Sequence, residues 1–300
     1  MNKATSVTSC RRRFFKAFQN VQRCHLSLAY TLHEPPHSLN CSKDYPLVIL
    51  HGLFGSKQNH RSISKALARE LQRPVYALDL RNHGESPHDS VHDYPSMADD
   101  VDEFIHHHRL KQPVLIGHSM GAKVAMTVAL RSSSLLGALI PVDNAPVDAL
   151  LKSDFGKYLA GMREVESTGI RKQVQADHIL SKYEDAPAIR QFLMTNLVKS
   201  PNSGVLGFRI PIQTLASSLA NMGDFPFRDP VAACHKGPTL FVRGTRSHYV
   251  PDDVLPVIGQ FFPRFNIQDI DCGHWIMTER PDLFKLAVVS FLRDLDSDES

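Results

Sequence analysis

Residues 113–130 read PVLIGHSMGAKVAMTVAL. Val114 to Ile116 is a short apolar run of the kind shown by a strand covered on both faces. Ala122 to Leu130 is built from small and apolar residues and predicts a buried helix. Between them stands Ser119, with Gly117 and Gly121 two positions to either side. A strand passing straight into a helix must turn so sharply that the apex residue takes an unusual backbone conformation. A side chain at either flanking glycine would collide with neighbouring backbone. The hydroxyl is thereby pushed out at the carboxyl edge of the sheet, where open α/β sheets place their ligands.

The surroundings supply that sheet. His25 to His33 alternates Leu26, Leu28, Tyr30 and Leu32, which predicts a strand with one buried face. Leu47 to Leu50, Val75 to Leu80 and Gly137 to Val142 read as further strands. Helices are predicted over Ser62 to Leu71, over residues 120–130, and over Ser96 to His108 with Ser96 as cap and acids in the early turns. After Asn144 the alternation stops. From about 146 to 230 the pattern predicts helices and loops without a strand. One amphipathic helix there is marked by Phe155, Tyr158, Leu159 and Met162 at i, i+3, i+4 and i+7. Alternation returns with Thr239 to Val242, Asp252 to Phe261, Phe265 to Ile270 and a closing helix from Pro281 to Leu295. Repeated strand-then-helix units predict an α/β fold, a mostly parallel central sheet with helices on both faces. The interruption reads as an inserted helical cap, so residues 25–300 form one domain.

G-x-S-x-G between strand and helix is the nucleophile elbow of the α/β-hydrolase fold. It makes Ser119 a candidate nucleophile and aims the backbone N–H of Met120 at the reacting carbonyl. A serine hydroxyl is weak at neutral pH and needs a base. In this fold the chain order is Ser, acid, His, and DCGHW places His274 directly after the strand over Phe265 to Ile270. The acid has two sources. Asp143 emerges after Ile140-Pro141-Val142 at the same sheet edge as Ser119. The other source is the region after Val242, where RGTRSHYV puts Ser247 about where a carboxylate is expected and Asp252 and Asp253 follow beside Pro251. HGLFG, residues 51–55, closes another strand and supplies a second oxyanion donor, expected to be the Leu53 N–H. Gly52 lets the backbone approach the substrate, and His51 is expected to brace the loop.

Other groups carry plainer readings. His106, His107 and His108 end a helix rather than bind metal. Asp99, Asp100, Asp102 and Glu103 read as a solvated first helix turn. DLRNHGES, residues 79–86, reads as a structural loop held through Asp79 and His83. Cys10, Cys24, Cys41, Cys234 and Cys272 show no paired spacing, which predicts neither a disulfide framework nor a zinc site, and Cys272 reads as a packing residue. With 42% hydrophobic and 22% charged residues the 300-residue chain can bury a full core. Its formal charge of +3 hides an asymmetry. No Asp or Glu precedes Glu34, while Lys3, Arg11, Arg12, Arg13, Lys16 and Arg23 do. Setting those six aside leaves 28 basic against 31 acidic residues, so no basic surface points to nucleic acid. The first 24 residues, rich in Ser, Thr and Arg with Phe14, Phe15, Phe18 and Val21 at helical spacing, read as a mitochondrial transit peptide. No run approaches the ~18 apolar residues of a membrane span.

HGLFGSK, DLRNHGESPH, GHSMGAKVAM, VDNAPV, LFVRG and CGHW occur in that order. Together they resemble one subgroup of the α/β-hydrolase family, the mitochondrial serine hydrolases that include the fungal ethanol acetyltransferases, and bacterial esterases of similar pattern. The resemblance spans residue 25 to the C-terminus. It implies Ser119 as nucleophile, His274 as base and, because VD followed by AP matches the subgroup, Asp143 as acid. It implies hydrolysis of a small carboxylic ester or an acyl-CoA thioester through an acyl-enzyme, or transfer of the acetyl group of acetyl-CoA to ethanol. No metal or organic cofactor is implied. A binding protein that kept the fold but lost catalysis is the rival from another class, and the intact Ser119, His274 and HG loop argue against it.

Overall fold

The computed structural model describes residues 25–35, 45–148 and 154–298; the stretch read as a transit peptide lies outside them. Strand β1 spans Tyr30–His33 and β2 Leu47–Leu50, and a 3-10 turn at Lys57–His60 leads into α1, Arg61–Leu71. Then come β3 (Val75–Leu78), α2 (Tyr94–His107), β4 (Val114–His118), α3 (Met120–Arg131) and β5 (Ala138–Val142). The next segment holds α4 (Asp154–Thr168), α5 (Gln173–Leu180), α6 (Pro187–Met194), β6 (Leu197–Lys199), β7 (Leu206–Phe208), α7 (Ile212–Ser217) and α8 (Leu219–Gly223). The chain ends with β8 (Thr239–Gly244), α9 (Leu255–Phe261), β9 (Phe265–Ile270), α10 (Ile276–Glu279) and α11 (Pro281–Asp298).

The main sheet runs β1-β3-β2-β4-β5-β8-β9. Every pairing in it is parallel except β1 with β3. β2, β4 and β5 are buried at every position, and successive side chains go to opposite faces. Leu47 and Ile49 join Leu67 of α1 and Phe284 and Val288 of α11. Val48 and Leu50 join Met97 and Val101 of α2, Val124 and Val128 of α3, and Leu159, Met162 and Leu193 of the segment between β5 and β8. Each such side chain stabilises the fold by roughly 1.5–3 kcal/mol on burial. Among the described residues no helix is long and apolar enough to cross a membrane.

Several sequence expectations need correction. The first strand is only Tyr30–His33, because pairing begins where β3 provides a partner, at Tyr30 opposite Leu78. The cap of α2 is Asp93, whose side chain accepts the Ser96 N–H at 2.8 Å, so the helix starts at Tyr94 with Pro95 in its first turn. Asp99 and Asp100 therefore sit past the first turn. Asp100 is fully buried, paired with Arg81 by two hydrogen bonds of 2.6 and 2.7 Å, and also accepts the Leu26 N–H. The segment predicted to lack strands contains the β6–β7 ribbon. Its three-residue strands are too short to show a period of two. Asp252 lies in a 3-10 turn ahead of α9 rather than in the helix itself.

Candidate active site

The turn between β4 and α3 has the strain its sequence implies. Ser119 holds φ 55° and ψ −114°, in the region that L residues avoid. A Cβ on Gly117 would stand 2.1 Å from the Gly121 carbonyl oxygen, and one on Gly121 would stand 2.6 Å from that of His51. Only hydrogens fit at both places. The Ser119 N–H is tied to the Val142 carbonyl at 2.9 Å, and Asn144 Nδ2 donates to the Ser119 carbonyl at 3.1 Å.

Three side chains distant in sequence meet at the carboxyl edge. Ser119 Oγ lies 2.9 Å from His274 Nε2, and His274 Nδ1 donates to Asp143 Oδ2 at 2.6 Å. Asp143 is buried and also has a left-handed backbone, φ 52°. Its carboxylate accepts from the Gly244 N–H at 3.1 Å and from the Ser247 hydroxyl as well. The position where a carboxylate was expected thus holds a hydroxyl that serves the carboxylate on the neighbouring strand. Asp252 is turned away: it pairs with Arg243 at 2.6 Å and is 83% exposed. The His274 ring is stacked on Tyr249, centroids 4.1 Å apart at 24°. Neither Ser247 nor Tyr249 has a sequence signal for these contacts, since both depend on where β8 ends relative to β5.

His118 is a further neighbour. Its Nε2–H donates to the His274 carbonyl at 2.8 Å, and its ring lies 4.9 Å from that of His274. Burial, chiefly, with the nearby His274 ring, pushes its pKa down to about 3, so it is neutral.

The HG loop packs against the serine: a Cβ on Gly52 would lie 3.2 Å from Ser119 Cβ. His51 braces it. Its Nδ1–H donates to the Gly52 carbonyl at 2.8 Å, and its Nε2 accepts the Leu80 N–H at 3.0 Å. Burial holds this imidazole well below its ordinary range, with the neighbouring His83 adding to the effect. His83 Nε2 accepts the Phe54 N–H at 3.1 Å, and its Nδ1–H donates to the Arg81 carbonyl at 2.9 Å. The 79–86 loop is held further by Asp79, which accepts from the Lys57 backbone and ammonium. Leu53 lines the cavity and Met120 opens α3. Cys272 is fully buried, and desolvation raises its thiol to about 11, consistent with packing.

Ser119 and His274 lie in the wall of a cavity of about 560 Å³. Phe155 of α4, Ile189 and Phe192 of α6, Trp275 and Met277 make much of it apolar. A hydroxyl hydrogen-bonded to an imidazole that is itself held by a buried carboxylate can be deprotonated as it attacks an electrophile.

Comparison with known proteins agrees in fold and in kind. The family model for the alpha/beta hydrolase fold matches residues 45–281. A Saccharomyces cerevisiae protein described as a probable alcohol acetyltransferase is 43% identical over 82% of this chain and 77% of its own. An sn-1-specific diacylglycerol lipase of Xenopus laevis is 40% identical over 82% of this chain and 79% of its own. Among solved structures a marine microorganism esterase superposes with a TM-score of 0.81 at 30% identity, covering 89% of this chain and 99% of that one.

Proposed function

The chain belongs to the alpha/beta-hydrolase family, and from that premise we propose that it is a serine hydrolase acting on carboxylic esters or thioesters. The observation that carries this reading is the unbroken row of hydrogen bonds from Ser119 through His274 to Asp143. Ser119 Oγ attacks the carbonyl carbon as His274 Nε2 takes its proton. Asp143 keeps the proton on Nδ1 and stabilises the imidazolium that forms. The N–H groups of Leu53 and Met120 stabilise the oxyanion, each by roughly 2.7–4 kcal/mol if typical. The intermediate collapses, His274 protonates the leaving alkoxide or thiolate, and an acyl-enzyme remains. Water, deprotonated by His274, then attacks the acyl-enzyme and releases the acid. Acyl transfer of this kind uses side chains and backbone alone.

A second reading uses the same acyl-enzyme with an alcohol in place of water, and the similarity to the Saccharomyces cerevisiae protein favours it. The similarity to the Xenopus laevis lipase brings glycerolipid esters into the same substrate class. Supplying acetyl-CoA with and without ethanol separates the two readings. Ethyl acetate supports transfer; acetate and free CoA alone support hydrolysis. Ser119→Ala should abolish labelling by a fluorophosphonate probe, and persistent labelling would move the nucleophile elsewhere. We also propose that residues 1–24 direct the protein to mitochondria. Residues 1–30 fused to a reporter should carry it there, and a cytosolic reporter would refute the assignment.

A further inference from the structure

Each peptide unit from Gly52 to Gly55 is held by a hydrogen bond on at least one side. The Gly52 carbonyl accepts from His51 Nδ1–H and from the Gly55 N–H at 2.9 Å. The Phe54 N–H donates to His83. The Phe54 carbonyl accepts from Asn196 Nδ2 at 2.8 Å. A peptide unit is planar and trans, so fixing the Gly52 carbonyl points the Leu53 N–H the opposite way. Phe54 itself has φ 63°, a conformation that persists only where its surroundings determine it.

Two of these clamps, His51 and His83, come from the body of the fold. The third does not. Asn196 follows α6, whose Ile189, Phe192 and adjoining Thr195 line the cavity. It is 2% exposed and 142 positions from Phe54, and its own carbonyl accepts the Arg209 N–H at 2.9 Å. We propose that Asn196 is a positioning residue for the oxyanion donor, tying the cavity wall that substrate touches to the loop that presents the Leu53 N–H. The inference rests on the serine-hydrolase reading. A substrate seated against α6 and a correctly aimed Leu53 N–H then become parts of one arrangement.

The test measures kcat, KM and thermal midpoint on a p-nitrophenyl ester for the full chain, Asn196→Leu and Asn196→Asp. Asn196→Leu should lower kcat about ten- to a hundredfold with little change in KM, because the donor is misplaced rather than removed. Asn196→Asp sets a carboxylate against the Phe54 carbonyl, and its protonated form regains a donor. The ratio of its kcat to the wild-type value should therefore rise as pH falls, even if Asn196→Leu does not fold. A merely structural role leaves that ratio flat. A flat ratio, an unchanged kcat, or a loss confined to KM overturns the proposal. If the wild-type chain itself takes no fluorophosphonate label, the functional reading fails and this proposal falls with it. A labelled wild type with fully active Asn196 variants overturns this proposal alone.

Discussion

At the scale of single residues, the row from Ser119 to Asp143 depends on hydrogen bonds that each side chain can make in only one sense. Asp143 can only accept, so it selects the His274 tautomer with its proton on Nδ1 and leaves Nε2 free for the serine. Asp143→Asn removes that selection while keeping the shape, and should lower kcat by about four orders of magnitude. Asp252→Asn is the control: its side chain is spent on Arg243 at the surface, and kcat should not change. Steady-state rates on one ester substrate decide the matter, and a large loss for Asp252→Asn would reassign the acid. Ser119 and His274 were legible from the motif and the chain order. Between Asp143 and Asp252 or Asp253 the residues alone left the choice open, because strand adjacency is a three-dimensional fact.

At the scale of elements, the fit of turn to helix is what a small substitution tests. Gly121→Ala would put a methyl 2.6 and 2.7 Å from two backbone carbonyl oxygens, of His51 and Leu50. Backbone cannot swing aside as a flexible side chain can, so the cost should reach at least the roughly 1–3 kcal/mol of ordinary overpacking, with loss of activity. A methyl added at Gly156 in α4 would meet no other atom within 4 Å. Gly156→Ala should stabilise the protein by about 0.5–1 kcal/mol through helix propensity. Denaturant midpoints check both signs. Most strands and helices were legible because doubly buried strands and amphipathic helices leave different periods in sequence. The β6–β7 ribbon and the Asp93 cap were not: the ribbon's strands are too short for a period, and the helix was read as starting at Ser96, three positions after the residue that caps it.

At the scale of the whole molecule, the site rests on buried neutral histidines. Burial holds the pKa of His51 well below its ordinary value, brings those of His60 and His118 to about 3, and brings that of His83 to about 4. Above pH 6.5 neither folded nor unfolded chain protonates them, and their contribution to stability is complete. Below 6.5 the unfolded chain binds protons that the folded chain refuses, so stability falls as pH drops toward 4, by at most about 1.4 kcal/mol per pH unit for each histidine. Thermal midpoints should decline steadily from pH 6.5 to 4.5, and His60→Phe should flatten the slope. A flat profile would mean these rings are solvated. By itself the sequence determined most strands of the main sheet, the elbow, and the candidate nucleophile and base, because glycine sterics and apolar periodicity act within a few residues. Tertiary structure alone decided that Asp143 is the carboxylate facing His274, that Ser247 supports it, and that Asn196 reaches Phe54. Those contacts join segments about a hundred residues or more apart: the strand order sets the ends of β5, β8 and β9 side by side for the first two, and the packing of the segment after α6 against the HG loop makes the third.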